Sequence, residues 1–64
     1  MSNFQVAMTL DNDAFGGDAR EQEVARILRV IADKVGRGAR DDNWQTIFDV
    51  NGNDVGRWRL SGGR

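Results

Sequence analysis

Near the start of the chain Phe4, Val6, Met8 and Leu10 alternate with Gln5, Ala7 and Thr9. A period of two marks a β-strand with one buried face, which predicts a strand over residues 4–10. The period then changes. Val24, Ile27, Leu28, Ile31 and Val35 recur at three- and four-residue intervals, the single apolar stripe of an amphipathic helix, with Arg26, Arg29, Asp33, Lys34 and Arg37 pointing outward. Asp18-Ala19-Arg20-Glu21, after the Gly16-Gly17 pair, has the acidic N-cap and Glu-at-N3 pattern of a capping box, so the helix should start near Ala19. At its other end Lys34 and Arg37 suit the helix dipole, and Gly36 or Gly38 can supply a left-handed C-cap.

Residues 44–50 and 55–60 are rich in aromatic and β-branched side chains and flank Asn51-Gly52-Asn53, which reads as a β-hairpin. A two-residue Asn51-Gly52 loop would set Asp49 against Asp54. A three-residue loop with Gly52 in the bulge position brings Trp44 opposite Trp58 and is the preferred register. Residues 61–64, SGGR, read as a frayed tail. The order β-α-β-β, with a right-handed crossover, predicts an α+β domain over residues 1–64. One helix packs on a three-stranded antiparallel or mixed sheet in strand order 1-3-2.

Length limits what such a domain can hide. A chain of 64 residues buries a small core and has no room for a deep, walled active site beside it. Cys is absent, so packing alone must stabilise the fold, and thiolate metal ligands are excluded. No apolar run approaches the ~20 residues of a spanning helix, and MSNFQVAMTL lacks the basic and apolar segments of a signal peptide. The expectation is a soluble, unprocessed, cytoplasmic chain without cofactor.

The net charge of −1 conceals four alternating blocks. Residues 11–23 carry five acids and one base, residues 24–40 five bases and one acid, residues 41–54 four acids and residues 55–64 three bases. The densest acidic stretch, DNDAFGGDAREQE, invites a metal reading. Aligned on a calcium-binding EF-hand loop, Asp11, Asp13 and Gly16 fall at positions one, three and six. Phe15 then occupies a ligand position and Gln22 stands where the bidentate Glu belongs, which argues against a calcium site. With neither His nor Cys in the chain, a transition-metal site would have carboxylates only. Catalysis fares no better. Without His, Cys or Tyr, and with hydroxyls limited to Ser2, Thr9, Thr46 and Ser61, no activated nucleophile can be drawn, and the chain is not expected to be an enzyme.

Two binding surfaces remain. The acids Asp11, Asp13, Asp18, Glu21 and Glu23, with Asp41 and Asp42 in the loop before the second strand, are the candidates for a negative patch that meets a basic partner. The bases Arg26, Arg29, Lys34, Arg37 and Arg40 on or just beyond the helix, with Arg57 and Arg59 flanking Trp58, are the candidates for nucleic acid. The slightly negative total charge weighs against the second surface, and Trp58 is expected in the core rather than as a stacking platform.

TLDNDAF in the first loop, EVARILRVIADKV in the helix and DVNGNDVGRWRL in the hairpin together resemble a group of very small proteins encoded by phages, prophages and other mobile elements. The resemblance covers about residues 4–60. Within that group the chain looks most like anti-CRISPR proteins that inhibit type I systems, with type I-C as the suggested subtype. The resemblance implies a protein partner, a subunit of a Cascade-type effector complex or its recruited nuclease. It also implies a mechanism in which an acidic surface competes with DNA. The chain is expected to be a monomer or weak homodimer, and a third reading of the sequence is a structural or assembly adaptor that works as a homodimer through exposed strand edges. Asp11, Asn12, Asp13 and Phe15 carry the likeness in the loop, and Asp49, Asn51, Gly52, Asn53, Val55 and Gly56 carry it in the turn, where backbone geometry accounts for them. The nearly balanced charge departs from a strongly acidic DNA mimic, so any mimicry is local to one face.

Overall fold

A computed structural model describes residues 2–38 and 41–62. Strand β1 spans Asn3–Met8, a single 3-10 turn follows at Asp13–Phe15, helix α1 spans Ala19–Gly36, and strands β2 and β3 span Asp41–Phe48 and Asp54–Ser61. The strands form one antiparallel sheet in the order β1-β3-β2, so the last strand lies between the other two as expected.

Helix α1 covers one face of the sheet. The apolar row Ile27 and Ile31 meets Ile47 from β2 and Val55 and Trp58 from β3, and Phe15 from the 3-10 turn closes the core at the helix N-terminus. Val6, Met8, Val24, Val35 and Leu60 pack around this cluster. Leu28, expected in the stripe, is instead 45 % exposed on the β1 flank of the helix, because a three-stranded sheet is too narrow to cover so broad an apolar arc. The helix starts at Ala19 as predicted, but Asp18 is helical in its own backbone (φ −74°, ψ −8°) and its side chain makes no capping bond, so the capping box does not form. At the other end Gly38 takes the left-handed conformation (φ 87°) and donates its N–H to the Val35 carbonyl.

The hairpin shows how one inserted residue redirects a strand. The Asp49 N–H donates to the Asn53 carbonyl at 2.9 Å and Gly52 has φ 84°, which is the three-residue loop predicted. The next pair, Phe48 with Asp54, keeps that register, but a bulge then shifts it by one, so Ile47 pairs with Gly56 and Gln45, not Trp44, with Trp58. The bulge lets Val55 enter the core, and its carbonyl accepts from the Thr9 N–H at 2.7 Å. It also sends the two tryptophans to opposite faces, Trp58 inward and Trp44 outward. The strand ends differ from expectation too: β2 begins at Asp41, so Asp41 and Asp42 belong to a strand and not to a loop, and Ser61 pairs with Asn3 instead of fraying. Arg40 and residues 63–64 lie outside the described residues.

Gly56 is required where the end of β1 approaches β3 most closely. A Cβ at this position would sit 2.1 Å from the Ala7 carbonyl oxygen and 2.6 Å from the Met8 Cα, both backbone atoms that cannot step aside alone. Gly56→Ala is therefore expected to cost about 3 kcal/mol, the upper range for overpacking a tight site, and to remove most of the stability of so small a domain. Urea unfolding followed by circular dichroism measures the loss; a midpoint equal to that of the parent protein would contradict it.

Candidate partner-binding surface

The sheet register fixes which charges meet. Met8, Gly56 and Ile47 lie at one end of the sheet beside the hairpin turn, and Asn3, Ser61 and Asp41 lie toward the other end. Helix α1 has its N-terminus at the turn end, where Glu23 meets Val50. Seven of the ten acids, Asp11, Asp13, Asp18, Glu21, Glu23, Asp49 and Asp54, therefore gather at the turn end, against Arg20 and Arg26. The other end is mixed in charge: Arg29 and Lys34 lie in the C-terminal half of the helix and Arg37 follows as its C-cap, but Asp33 lies among them and Asp41 and Asp42 begin β2 there.

Two of these seven acids are structural. Glu23 is only 7 % exposed: its carboxylate accepts two 2.8 Å bonds from the Arg26 guanidinium and a third, also 2.8 Å, from the Val50 N–H. Asp49, 4 % exposed, accepts from the N–H groups of Asn51 and Asn53 at 2.9 Å each and from the side-chain amides of Asn12 at 3.2 Å and Asn53 at 3.3 Å. Together they bind the β1–α1 segment, the helix and the hairpin turn to one another. The Arg26 bonds are the main reason that Glu23 is held below its ordinary pKa; burial opposes them and the Val50 N–H adds to them. For Asp49 the Asn53 N–H is the largest cause of a lowered pKa, again opposed by burial and assisted by the side chains of Asn12 and Asn53 and the Asn51 N–H. Glu23 thus leaves the predicted patch, and Arg26, predicted to point freely outward, is committed to it.

The rest of the acidic set divides by position. Asp11, Asp13, Asp18 and Glu21 are all exposed at the turn end, and among the described residues Glu21 alone of them forms an ion pair, with Arg20 at 3.6 Å. Asp41 and Asp42 begin β2 at the far end of the sheet, so the two acidic blocks do not form one face. Among the described residues no group of three or more acids is arranged to hold a metal ion, and the loop of the calcium comparison instead turns Phe15 into the core.

The basic set is split between layers. Arg29 and Lys34 lie on the helix and Arg37 is its C-cap, paired with Asp33 at 3.3 Å. Arg57 and Arg59 lie on the open face of the sheet, opposite the helix, where both guanidinium carbons come within 4.7 Å of the Trp44 ring centroid. Arg59 Nε also donates to the side-chain Oε1 of Gln5 at 3.2 Å. Sequence reasoning assigned the arginines to Trp58 and missed Trp44. The alternation alone pointed to Arg57 and Arg59 sharing a face away from Trp58, but the partner depended on the bulge. For Glu23 a signal was present, since it continues the Ile31, Ile27 row one turn earlier on the helix.

These features define a small α+β domain with a polar, solvent-facing surface in two parts, an acidic end and an arginine–tryptophan sheet face. No protein-family model, curated protein or solved structure matches the chain. No helix among the described residues is long and apolar enough to cross a membrane.

The two buried carboxylates make stability depend on pH with a definite sign. Their pKa values are ordinary in the unfolded chain and lower in the fold, so between the two the unfolded state binds more protons. Their stabilisation is complete above the ordinary carboxylate range and is lost as pH falls through it toward the lowered folded values. Urea midpoints should therefore drop across that window and level off above it, and Glu23→Gln should give a shallower dependence. A midpoint independent of pH there would contradict the assignment.

Proposed function

We propose that the protein is a non-catalytic inhibitor that acts by binding, with its acidic turn end docked on a basic protein surface of a type I CRISPR effector complex inside a bacterial host. The single observation that carries this reading is the cluster of exposed carboxylates Asp11, Asp13, Asp18 and Glu21 on a segment anchored by Phe15 and by the Asn12–Asp49 bond. Such a patch accelerates encounter with a basic groove and competes there with the phosphates of DNA. The target class comes from the resemblance of the loop, helix and hairpin motifs to small mobile-element proteins. The absence of His, Cys and Tyr supports a role without chemistry.

A second reading follows from Trp44 and its two arginines. An aromatic ring and guanidinium groups on an uncovered sheet face are the elements of a single-strand binding platform, and an open concavity of about 480 Å³ lies beside them, lined by Ala7, Thr46 and Val55 among others. The nearly neutral total charge places this reading second.

One native gel separates them: the protein mixed with a type I-C surveillance complex and labelled target DNA, beside a lane of protein and DNA alone. Loss of the complex–DNA band without a shift of free DNA is expected. Asp11→Lys, Asp13→Lys and Glu21→Lys combined should weaken inhibition about tenfold or more while the circular-dichroism spectrum is unchanged, as the loss of a steering patch implies. Full inhibition by this variant would reject the acidic end as the contact. A salt-sensitive shift of DNA alone would favour the sheet face.

A further inference from the structure

We infer that Asn51 is a self-modification site, where the backbone nitrogen of Gly52 converts the side-chain amide to a carboxylate without an enzyme. The chain has asparagines at positions 3, 12, 43, 51 and 53, and Asn51 alone precedes a glycine. The others precede Phe4, Asp13, Trp44 and Asp54, whose side chains crowd the peptide nitrogen that would have to attack. Glycine carries no Cβ and lets its backbone approach another group closely.

The fold also separates Asn51 from the other asparagines of the turn end. The amides of Asn12 and Asn53 are held, donating to Asp49 Oδ2 at 3.2 and 3.3 Å. Asn51 is exposed, and its side-chain amide has no hydrogen-bond partner among the described residues. Only its backbone is fixed, by the N–H that donates to Asp49 Oδ1 at 2.9 Å. The Gly52 N–H is held by one neutral bond, to the Asp49 backbone carbonyl at 3.0 Å, and by neither buried carboxylate. An added Cβ on Gly52 would meet nothing within 4 Å, so the Asn51–Gly52 peptide has open space in which to rotate. Freeing the attacking nitrogen therefore breaks a single neutral hydrogen bond, while the carboxylate bonds to the Asn51 and Asn53 N–H groups stay in place.

The chemistry needs only water. The Gly52 nitrogen gives up its proton to hydroxide and attacks Cγ of Asn51; the new N–Cγ bond closes a succinimide ring, the Cγ–Nδ2 bond breaks, and Nδ2 leaves as ammonia after taking a proton from water. Because both reacting groups sit on adjacent residues, the step is intramolecular and gains from proximity. Water then opens the ring at either carbonyl. Cleavage of the N–Cγ bond leaves aspartate, whereas cleavage at the main-chain carbonyl leaves isoaspartate, with the chain running through Cβ and Cγ. Both products place a new carboxylate at the acidic turn end, close to Asp49. Isoaspartate also lengthens the chain between the N–H groups of residues 51 and 53, which in the parent converge on Asp49 Oδ1, so this form should lose that grip and unfold at a lower urea midpoint. None of these steps depends on the proposed target.

Storage of the full folded chain at mildly alkaline pH, beside a sample unfolded in urea, tests the site. Tryptic mapping of residues 41–57 separates the asparagine, aspartate and isoaspartate forms and holds Asn43 and Asn53 as internal references. Asn51 should convert in the folded protein about tenfold more slowly than in urea, the protection one neutral hydrogen bond gives, while Asn43 and Asn53 keep their amides. Asn51→Gln should abolish the conversion, because the longer side chain closes a ring far less readily, and it should keep the fold, since the amide has no partner to lose. A folded parent with Asn51 intact long after the urea sample has converted completely overturns the inference. So does conversion at Asn43 or Asn53 that matches or precedes it, or an unchanged yield of acidic forms from the Asn51→Gln protein.

Discussion

The structure depends on two carboxylates at the place where a short chain has least with which to hold itself together. A five-residue connection between β2 and β3 carries backbone N–H groups that no strand can satisfy, and an N–H left unpaired near a core costs about as much as a lost hydrogen bond. Asp49 takes two of them and Glu23 a third. Because Asp49 also accepts from Asn12, and Glu23 sits on the helix with Arg26, the same bonds that satisfy the turn fasten the β1–α1 segment and the helix to it. No disulfide assists. Phe15 and Val55 can then close the core at this end, since the segments that carry them are held in place.

That arrangement changes the meaning of the acidic sequence. Of the seven acids at the turn end, two are consumed by the fold, and their negative charge is balanced locally by Arg26 and by the N–H dipoles aimed at them. What faces solvent is a smaller group on the β1–α1 segment. This group lies at the N-terminus of α1, where the helix dipole stabilises negative charge without the side chains having to cap it. Function and fold thus draw on the same stretch of sequence for different residues. The proposed contact uses carboxylates that the fold leaves exposed, and it is rigid because the buried ones anchor its neighbours.

The helix and the hairpin loop were legible because each depends on local periodicity or on one residue with special backbone freedom, such as Gly52, and the strand order because a right-handed crossover leaves few arrangements of a β-α-β-β chain. Three features were not. The bulge at Val55 is a tertiary decision, set by the fit of Val55 in the core and by the close approach of the β1 backbone to Gly56, and it moves Trp44 from Trp58's side to the open face. The exposure of Leu28 reflects the width of the sheet, which no residue in the helix encodes. The capping box failed because its sequence pattern says nothing of the preceding backbone, which at Asp18 is already helical. Glu23 differs from these: its place in the row of Ile27 and Ile31 was visible, and a carboxylate in a core row calls for a buried partner. Of the seven acids read as one patch, Asp11, Asp13, Asp18 and Glu21 are exposed at the turn end, while Glu23 is set apart by burial and Asp41 and Asp42 by the length of the sheet.

The most direct test of this account is amide hydrogen exchange at the turn, followed residue by residue by NMR in the parent protein. If Glu23 and Asp49 hold the hairpin to the helix, the amides of Val50, Asn51 and Asn53 exchange slowly and open with the strand amides of β3, as parts of one cooperative unit. Exchange of those three amides at the rate of an unstructured loop, while β3 stays protected, would contradict it and leave the turn as an ordinary surface connection.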